Sequence, residues 1–160
     1  MSPMTTTPIT PESLMPLEAY HQWRQTHRVD VMAHRRLRTV HLTEHLCLQF
    51  ESETTMRYQV QEMLRLERIF ERERIQDEID TYAPLVPDGG NWKATLLIGH
   101  DGSVQGKAAL AQLLGVENRI FVQVQGQERV YAVANEGTYR SADDAPSAVH
   151  FLRFEVAPLK

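Results

Sequence analysis

Residues 58–82 read YQVQEMLRLERIFERERIQDEIDTY, and neither glycine nor proline interrupts them. A run of this length without either residue favours one continuous helix. At about 100° per residue, four apolar side chains share one face of that helix: Val60, Met63, Leu64 and Phe70. Glu67 falls in the middle of the same face, so we predict a partly buried carboxylate there.

A buried carboxylate needs a cationic or hydrogen-bonding partner, because burying an unpaired charge costs several kcal/mol. Four arginines of the same helix are near enough in sequence to supply one: Arg65, Arg68, Arg72 and Arg74. The planar guanidinium of arginine suits paired contacts with a carboxylate. The helix is therefore expected to contain a hydrogen-bonded ion-pair network.

Composition limits the class of protein. The chain has 160 residues, 42% of them hydrophobic and 24% charged, which is ordinary for one globular domain. Its net charge of -4 argues against general binding to nucleic acid. The single cysteine, Cys47, excludes an internal disulfide, and no apolar run reaches the ~18 residues of a membrane span. We predict a cytoplasmic protein.

Two further predictions concern the first forty residues. Residues 1–9 are polar and contain two prolines, which predicts a flexible tail before a single domain at 10–160. Thr10 followed by Pro11 is typical of a helix start, and Pro16 is expected to open a longer helix that ends near Leu37.

Alternating apolar residues predict the strands. The segment RTVHLTEHLCLQFES, residues 38–52, is expected to be a hairpin that turns at Thr43 and Glu44. Residues 91–99 predict a buried strand, residues 107–114 a short helix, residues 119–136 a hairpin about Gly126, and residues 148–157 a last strand. The predicted fold class is α+β, a mostly antiparallel sheet with two long helices packed on one face.

Four segments resemble a known bacterial family: YQVQEMLRLERIFE, IQDEIDTYAPLVPDGGNWKATLLI, GQERVYAVANE and SAVHFLRFE. The chain is similar, over about residues 14–157, to domain of unknown function family 3501. Its members are often encoded beside rubrerythrin and an iron-sulfur oxidoreductase subunit. The resemblance therefore implies a role in redox or peroxide physiology, with a rubrerythrin or an iron-sulfur protein as partner.

The motif of that family falls mainly on the segment quoted first. The resemblance implies that the motif residues form a polar network: Gln61, Glu62, Arg65, Glu67, Arg68, Gln76 and Glu78. We add Glu71 to this network because it lies four residues after Glu67. The family motif also includes Tyr82 and, in the strand that follows, Ala94 and Thr95.

A metal site is the alternative interpretation of these carboxylates. Glu67 and Glu71 are four residues apart on one helix face, and Glu78 follows seven residues later. Glutamates of two helices, with histidine, build carboxylate-bridged di-iron sites. His27 or His34 could add a nitrogen ligand, although at ~1.5 Å per residue these two lie about 10 Å apart along their own helix.

A basic segment is the remaining candidate for binding. Between residues 24 and 38 the chain has one acid, Asp30, and five arginines: Arg24, Arg28, Arg35, Arg36 and Arg38. They could contact an anion or an acidic partner surface. The alternative is a solvated helix end, where cations are favoured by the helix dipole.

The residues name neither a reaction nor a cofactor, and two functional hypotheses follow. The first is a noncatalytic accessory protein that binds a protein partner of a redox or peroxide-stress system. The second is a metal- or cofactor-dependent redox enzyme, whose site would contain Glu67, Glu71 and Glu78 and one of the two helix histidines named above.

Overall fold

The computed structural model describes residues 7–99, 108, 111–134 and 149–157. The chain divides into two compact units. The helical unit comprises Met1–Leu37 and Glu51–Asp88, and the sheet unit comprises Arg38–Phe50 and Gly89–Lys160. The single domain predicted for residues 10–160 stays a prediction.

The helical unit contains three α-helices within the described residues: α1 at Leu17–Leu37, α2 at Glu53–Glu67 and α3 at Arg72–Tyr82. Short 3₁₀ turns lie at Pro11–Ser13 and Ala83–Leu85. Thr10 and Ser52 begin the first turn and α2 with reciprocal capping contacts, which satisfy backbone N–H groups that a helix start leaves free. The predicted helix start at Thr10 and the long helix ending at Leu37 are confirmed.

The single helix predicted for residues 58–82 is wrong, because the chain breaks it at Arg68. Arg68 has φ 52° and ψ 54°, the left-handed conformation that commonly ends helices. A residue other than glycine pays roughly 1 kcal/mol for that conformation. The break turns Ile69 into the core, where it is 2% exposed, and this burial is worth about 2 kcal/mol.

The core of the helical unit has two clusters of buried apolar side chains. The larger contains Ile9, Met56, Val60, Leu64, Ile69 and Ile79. The smaller joins α1 to α2 through Tyr20, Val31 and Tyr58. Ile9 falls within the tail predicted for residues 1–9, of which the first six lie outside the described residues.

Within the described residues, the sheet unit contains a five-stranded antiparallel sheet and a separate two-stranded pair. In spatial order, the strands of the larger sheet are β1 Thr39–His41, β2 Leu46–Phe50, β3 Asn91–Ile98, β7 Val149–Glu155 and β6 Val133–Ala134. The pair consists of β4 Phe121–Val122 and β5 Val130–Tyr131. The predicted α+β class with an antiparallel sheet is confirmed, and the packing of helices on one face stays a prediction.

The predicted hairpins are confirmed in the described residues. β1 pairs with β2, and the Thr43 hydroxyl accepts hydrogen bonds from the backbone N–H groups of His45 and Leu46 at the turn between them. Gly126 has φ 82° in the connection between β4 and β5. The helix predicted for residues 107–114 lies largely outside the described residues. No helix in the described ranges is long and apolar enough to cross a membrane.

Candidate functional site

Glu62 is the centre of a polar cluster in the helical unit. Tyr20 donates from its hydroxyl to Glu62 Oε2 at 2.6 Å, and Arg24 Nε donates to the same oxygen at 2.9 Å. Arg65 Nε also reaches Oε2, at 3.2 Å, and Tyr58 donates to Oε1 at 3.2 Å. One carboxylate therefore binds two guanidinium groups and two phenols.

Helical spacing places these groups together. On α2, Tyr58 lies four residues before Glu62 and Arg65 three residues after it, so all three share one face. On α1, Tyr20 and Arg24 are also four residues apart. Each helix thus presents one turn of polar side chains to the other.

The neighbouring donors keep the Glu62 carboxylate ionised. Burial by itself would raise the pKa of Glu62, but hydrogen bonds from Arg24, Tyr20 and Arg65 outweigh it and lower the pKa from 4.5 to about 2. Burial, and then the hydrogen bond to the Glu62 carboxylate, raise the pKa of the Tyr20 hydroxyl. Tyr20 therefore stays a neutral donor and Glu62 an anion across the physiological range.

Gln61, the neighbour of Glu62, fixes the segment that leads into α1. It is 2% exposed, its Oε1 accepts from Met15 N at 2.7 Å, and its Nε2 donates to Met15 O at 3.3 Å. Both polar ends of the buried amide are satisfied, as the burial of such a group requires. Gln61 thus has a structural contact of its own, separate from the Glu62 cluster.

A cavity of about 380 Å³ lies beside this cluster, between α1 and α2. Aromatic and apolar side chains form much of its wall: Met15, Tyr20, Trp23, Val31 and Tyr58. Tyr20, Val31 and Tyr58 are also the buried cluster that joins the two helices. The remaining lining residues are polar or charged: His27, Asp30, His34, Glu53, Thr54, Arg57 and Gln61.

Aromatic rings of α1 form part of the cavity lining. The rings of Trp23 and His27, one turn apart on α1, stack with centroids 4.6 Å apart and an interplanar angle of 1°. His27 Nδ1 lies 2.9 Å from the Trp23 carbonyl oxygen, which fixes the plane of the imidazole. The Tyr20 ring also stacks with Trp23, with centroids 5.8 Å apart and an interplanar angle of 25°.

The structure places Glu67 differently from the sequence prediction, and its predicted burial is wrong. Glu67 is exposed at the end of α2, and Phe70, assigned to the same buried face, is 71% exposed. The helical wheel failed because it assumed 100° per residue through Arg68, where the helix ends. Among the carboxylates of α2, Glu62 is the one held largely away from solvent, with a side chain 14% exposed.

The rest of the predicted polar network is dispersed over α3 and the break before it. Glu71 begins α3 and lies 3.5 Å from Arg74, and Gln76 donates to Asp80 at 2.8 Å. Glu78 is half-buried, and burial followed by the negative charge of Glu67 raises its pKa. Of the predicted network, the structure brings Glu62 and Arg65 into direct contact and leaves Arg68 exposed at the break.

The histidines proposed as metal ligands make other contacts. His27 lies against Trp23, and His34 Nε2 is 2.8 Å from the hydroxyl of Ser52, the residue that caps α2. Within the described residues, no three side chains of histidine, cysteine, aspartate or glutamate are grouped so that they could hold a metal ion. The metal set of Glu67, Glu71, Glu78, His27 and His34 is not brought together there.

The basic segment is also divided among different contacts. Arg24 binds Glu62, Arg35 lies over the Tyr58 ring at 5.4 Å, and Arg38 donates to the Phe50 carbonyl oxygen at 3.2 Å. Arg28 and Arg36 are exposed. A common anion contact for all five arginines stays a prediction.

Sequence reasoning missed two buried polar pairs. Glu51 is 3% exposed and accepts a hydrogen bond from Thr55 at 2.6 Å. His150 is 4% exposed on β7, with its Nε2 3.8 Å from Glu117 Oε2. The spacing of Glu51 and Thr55, four residues apart at a helix start, could have indicated the first pair. No local pattern joins Glu117 to His150.

The sequence pattern of a family described as "Protein of unknown function (DUF3501)" matches residues 8–160, nearly the whole chain. The chain belongs to the DUF3501 family. The resemblance seen in the sequence is therefore confirmed.

This DUF3501 protein also resembles a solved structure, described as a novel protein of unknown function from Burkholderia pseudomallei K96243. The two share 49% sequence identity with a TM-score of 0.88, and the match covers 94% of this chain and 78% of the other. No curated protein matches the chain. The comparisons thus support the fold and the family, and the function has to be argued from the DUF3501 structure itself.

Proposed function

We propose that this protein is a noncatalytic accessory protein that binds a protein partner through the junction of α2 and α3. The observation that carries the proposal is the exposure of two large apolar side chains on either side of the break. Leu66 is 59% exposed and Phe70 is 71% exposed. They are four residues apart, with Arg68 between them.

The backbone explains why these side chains face solvent. Ile69 N donates to Leu64 O at 3.0 Å, which closes the end of α2 and directs the Ile69 side chain into the core. Leu66 and Phe70 are left outside, next to the exposed charges of Glu67 and Arg68. Apolar anchors with arginine and other charges around them are typical of protein interfaces.

The polar cluster supports a role without catalysis. Glu62 is neutralised by Arg24 and Arg65, and its pKa lies well below that of a general acid or base working near neutral pH. Such a cluster stabilises the contact between α1 and α2. It supplies a firm base for the junction surface at the end of the same helix.

The partner we propose belongs to a redox or peroxide-stress system. The family resemblance supports this choice, since it implies genes for rubrerythrin and an iron-sulfur oxidoreductase subunit nearby. A rubrerythrin or an iron-sulfur protein from the same genome is therefore the partner to test first.

The test is direct binding between purified proteins. We expect the wild-type chain to bind one of these two partners, and the double variant L66S/F70S to bind it at least tenfold more weakly, because truncating interface anchors typically costs 1 to 4 kcal/mol. Isothermal titration calorimetry measures the change. Both side chains are mostly exposed, so the variant should keep its fold.

Leu114 provides the matched control, since it is 58% exposed and lies far in sequence from the junction. The variant L114S should bind like the wild type. Equal binding by L66S/F70S and the wild type would show that the junction is not the contact surface. Absence of binding to both purified partners would remove the redox assignment.

One observation favours the second candidate, a metal-dependent redox enzyme. Burial, and then the negative charge of Glu67, raise the pKa of Glu78, so these carboxylates of α2 and α3 repel each other. A cation would relieve that repulsion. The proposed accessory role predicts instead that protein purified without chelators carries no stoichiometric iron or manganese.

Inductively coupled plasma mass spectrometry, with an ultraviolet-visible spectrum of the same sample, decides between the two candidates. Near-stoichiometric transition metal in the wild type that is lost in a folded E78Q variant would establish the metal centre and overturn the noncatalytic assignment. E73Q is the matched control, because Glu73 lies in the first turn of the same helix and is exposed.

A further inference from the structure

We propose that the cavity between α1 and α2 binds a small organic cation, an arylalkyl ammonium, independently of the protein partner. The ammonium group would lie at Asp30 and the aromatic body against the wall that Trp23 forms. Three observations carry this assignment: the size of the cavity, its aromatic lining, and the charge left available on its surface.

Size and lining fit a small amphipathic ligand. The cavity volume of about 380 Å³ lies in the range of about 300 to 1,000 Å³ that is usual for ligand pockets. Tyr20 and Tyr58 are 0% and 6% exposed and are held by their hydrogen bonds to Glu62, so the floor is rigid before a ligand arrives. Trp23 adds a third aromatic ring to the lining, and aromatic rings suit both an aryl group and a cation.

The charge of the lining selects a cation over an anion. Arg57 is the arginine of the lining, and its donors are already used. Its Nε donates to Glu53 at 2.7 Å, and its Nη1 donates to the hydroxyl of Ser13 at 2.8 Å. Its Nη2 faces the carbonyl oxygens of Thr7 and Pro8 at 3.4 and 3.5 Å. An anion would therefore find no available guanidinium donor on Arg57.

Asp30, unlike Arg57, has a charged group that is available to a ligand. Its carboxylate lines the cavity and makes no hydrogen bond or ion pair with any other residue that the structure describes. Glu53, the other carboxylate of the lining, is neutralised by Arg57. Among the aspartate, glutamate and arginine side chains of the lining, Asp30 is therefore the one without a paired charge. An ammonium group is the ligand chemistry that an unpaired carboxylate favours.

The spacing along α1 separates the two halves of the ligand. Trp23, His27 and Asp30 lie at intervals of four and three residues, which places them on one face of the helix. Asp30 is about 10 Å further along the helix axis than Trp23, at ~1.5 Å per residue. A ligand with its cation a few bonds from an aromatic ring can therefore contact both ends of this face.

The experiment follows the fluorescence of Trp23. The sequence has two tryptophans, and the substitution W92F leaves Trp23 as the remaining one. The probes are phenethylamine, its neutral analogue 2-phenylethanol, and the anion 3-phenylpropionate. We expect a saturable change with the amine and binding about tenfold weaker with the alcohol, since a charge-assisted contact is worth about 1.5 kcal/mol or more. The anion should produce no saturable change.

Two variants locate the cation. D30N should bind phenethylamine about tenfold more weakly and 2-phenylethanol as before, because it removes charge without changing shape. E18Q is the matched control, since Glu18 is an exposed acid of the same helix outside the cavity lining, and it should bind both as the wild type does. The proposal is overturned if D30N binds the amine unchanged, if the anion binds as tightly, or if no probe saturates.

Discussion

Replacing Glu62 by glutamine should lower the free energy of unfolding by about 3 kcal/mol at neutral pH. The carboxylate has a pKa of about 2 in the folded protein against an ordinary 4.5, a difference that corresponds to this energy at about 1.4 kcal/mol for each pH unit. Glutamine keeps the shape but leaves Arg24 and Arg65 without their shared anion. Urea unfolding of the two proteins measures the loss.

The pH dependence gives this prediction a second readout. Because the folded pKa is lowered, the contribution of Glu62 is complete above pH 4.5 and is lost as pH falls towards 2. The stability difference between wild type and E62Q should therefore shrink over that interval. A difference that stays constant with pH would show that shape, rather than charge, is what the substitution disturbs.

Glu67→Gln is the matched control for this pair of measurements. Glu67 lies five residues further along the chain and is exposed, so its replacement should change the free energy of unfolding by less than about 0.5 kcal/mol. A large loss with E67Q and a small loss with E62Q would reverse our assignment of the central carboxylate.

The second large effect is expected in the sheet unit, where Phe154→Ala should cost about 4 kcal/mol. Phe154 is 0% exposed on β7, opposite Trp92 of β3, and its ring centroid lies 6.4 Å from that of Phe50. Removing it deletes most of a buried side chain and leaves a cavity that the sheet cannot close fully. Thermal and urea unfolding measure the change.

Phe121→Ala is the matched control, because it makes the same change of side chain at a more exposed position. Phe121 is 39% exposed on β4, so the same atoms are removed from a site that water already reaches. The expected cost is about 1 kcal/mol. Similar costs at Phe121 and Phe154 would mean that the core of the sheet unit does not depend on Phe154.

Regular periodicity explains which elements could be predicted. Alternating apolar residues in 38–52 and the apolar segment at 91–99 indicated strands, and β1, β2 and β3 form there. Thr10 and Pro11 marked a helix start for the same local reason, a cap followed by a residue of fixed φ. Each of these signals depends on residues that are close in sequence, so the element that it predicts also forms in the folded protein.

The break at Arg68 could not be predicted in the same way. No glycine or proline marks it, and the left-handed backbone of an arginine is stable here because Ile69 finds a buried site among Val60, Leu64 and Ile79. The energy that decides the break comes from the packing of Ile69 between α2 and α3, which helix periodicity does not describe. The exposure of Leu66 and Phe70, on which the proposed partner surface depends, follows from this break.

The candidate site likewise contains residues that the sequence could indicate and residues that only the folded structure reveals. The family motif included Glu62 and Arg65, but Tyr20 and Arg24 of α1 lie about forty residues earlier, and nothing in the spacing joins them to Glu62. The cavity and the available carboxylate of Asp30 depend on the same pairing of α1 with α2. Sequence reasoning therefore found Glu62 and Arg65 but not their partners on α1, Tyr20 and Arg24.

The sequence by itself determined the family, the α+β class and most element boundaries, because these follow from local periodicity, capping and motif. Only the tertiary structure decided which carboxylate is buried, where the long helical segment breaks and where a cavity lies. Those features depend on whether the free energy gained by burying a side chain exceeds the cost of straining the backbone or desolvating a charge. A helical wheel includes none of these energies. It therefore placed Glu67 on the buried face, whereas Glu62 is the α2 carboxylate that the folded protein shields and pairs with arginine.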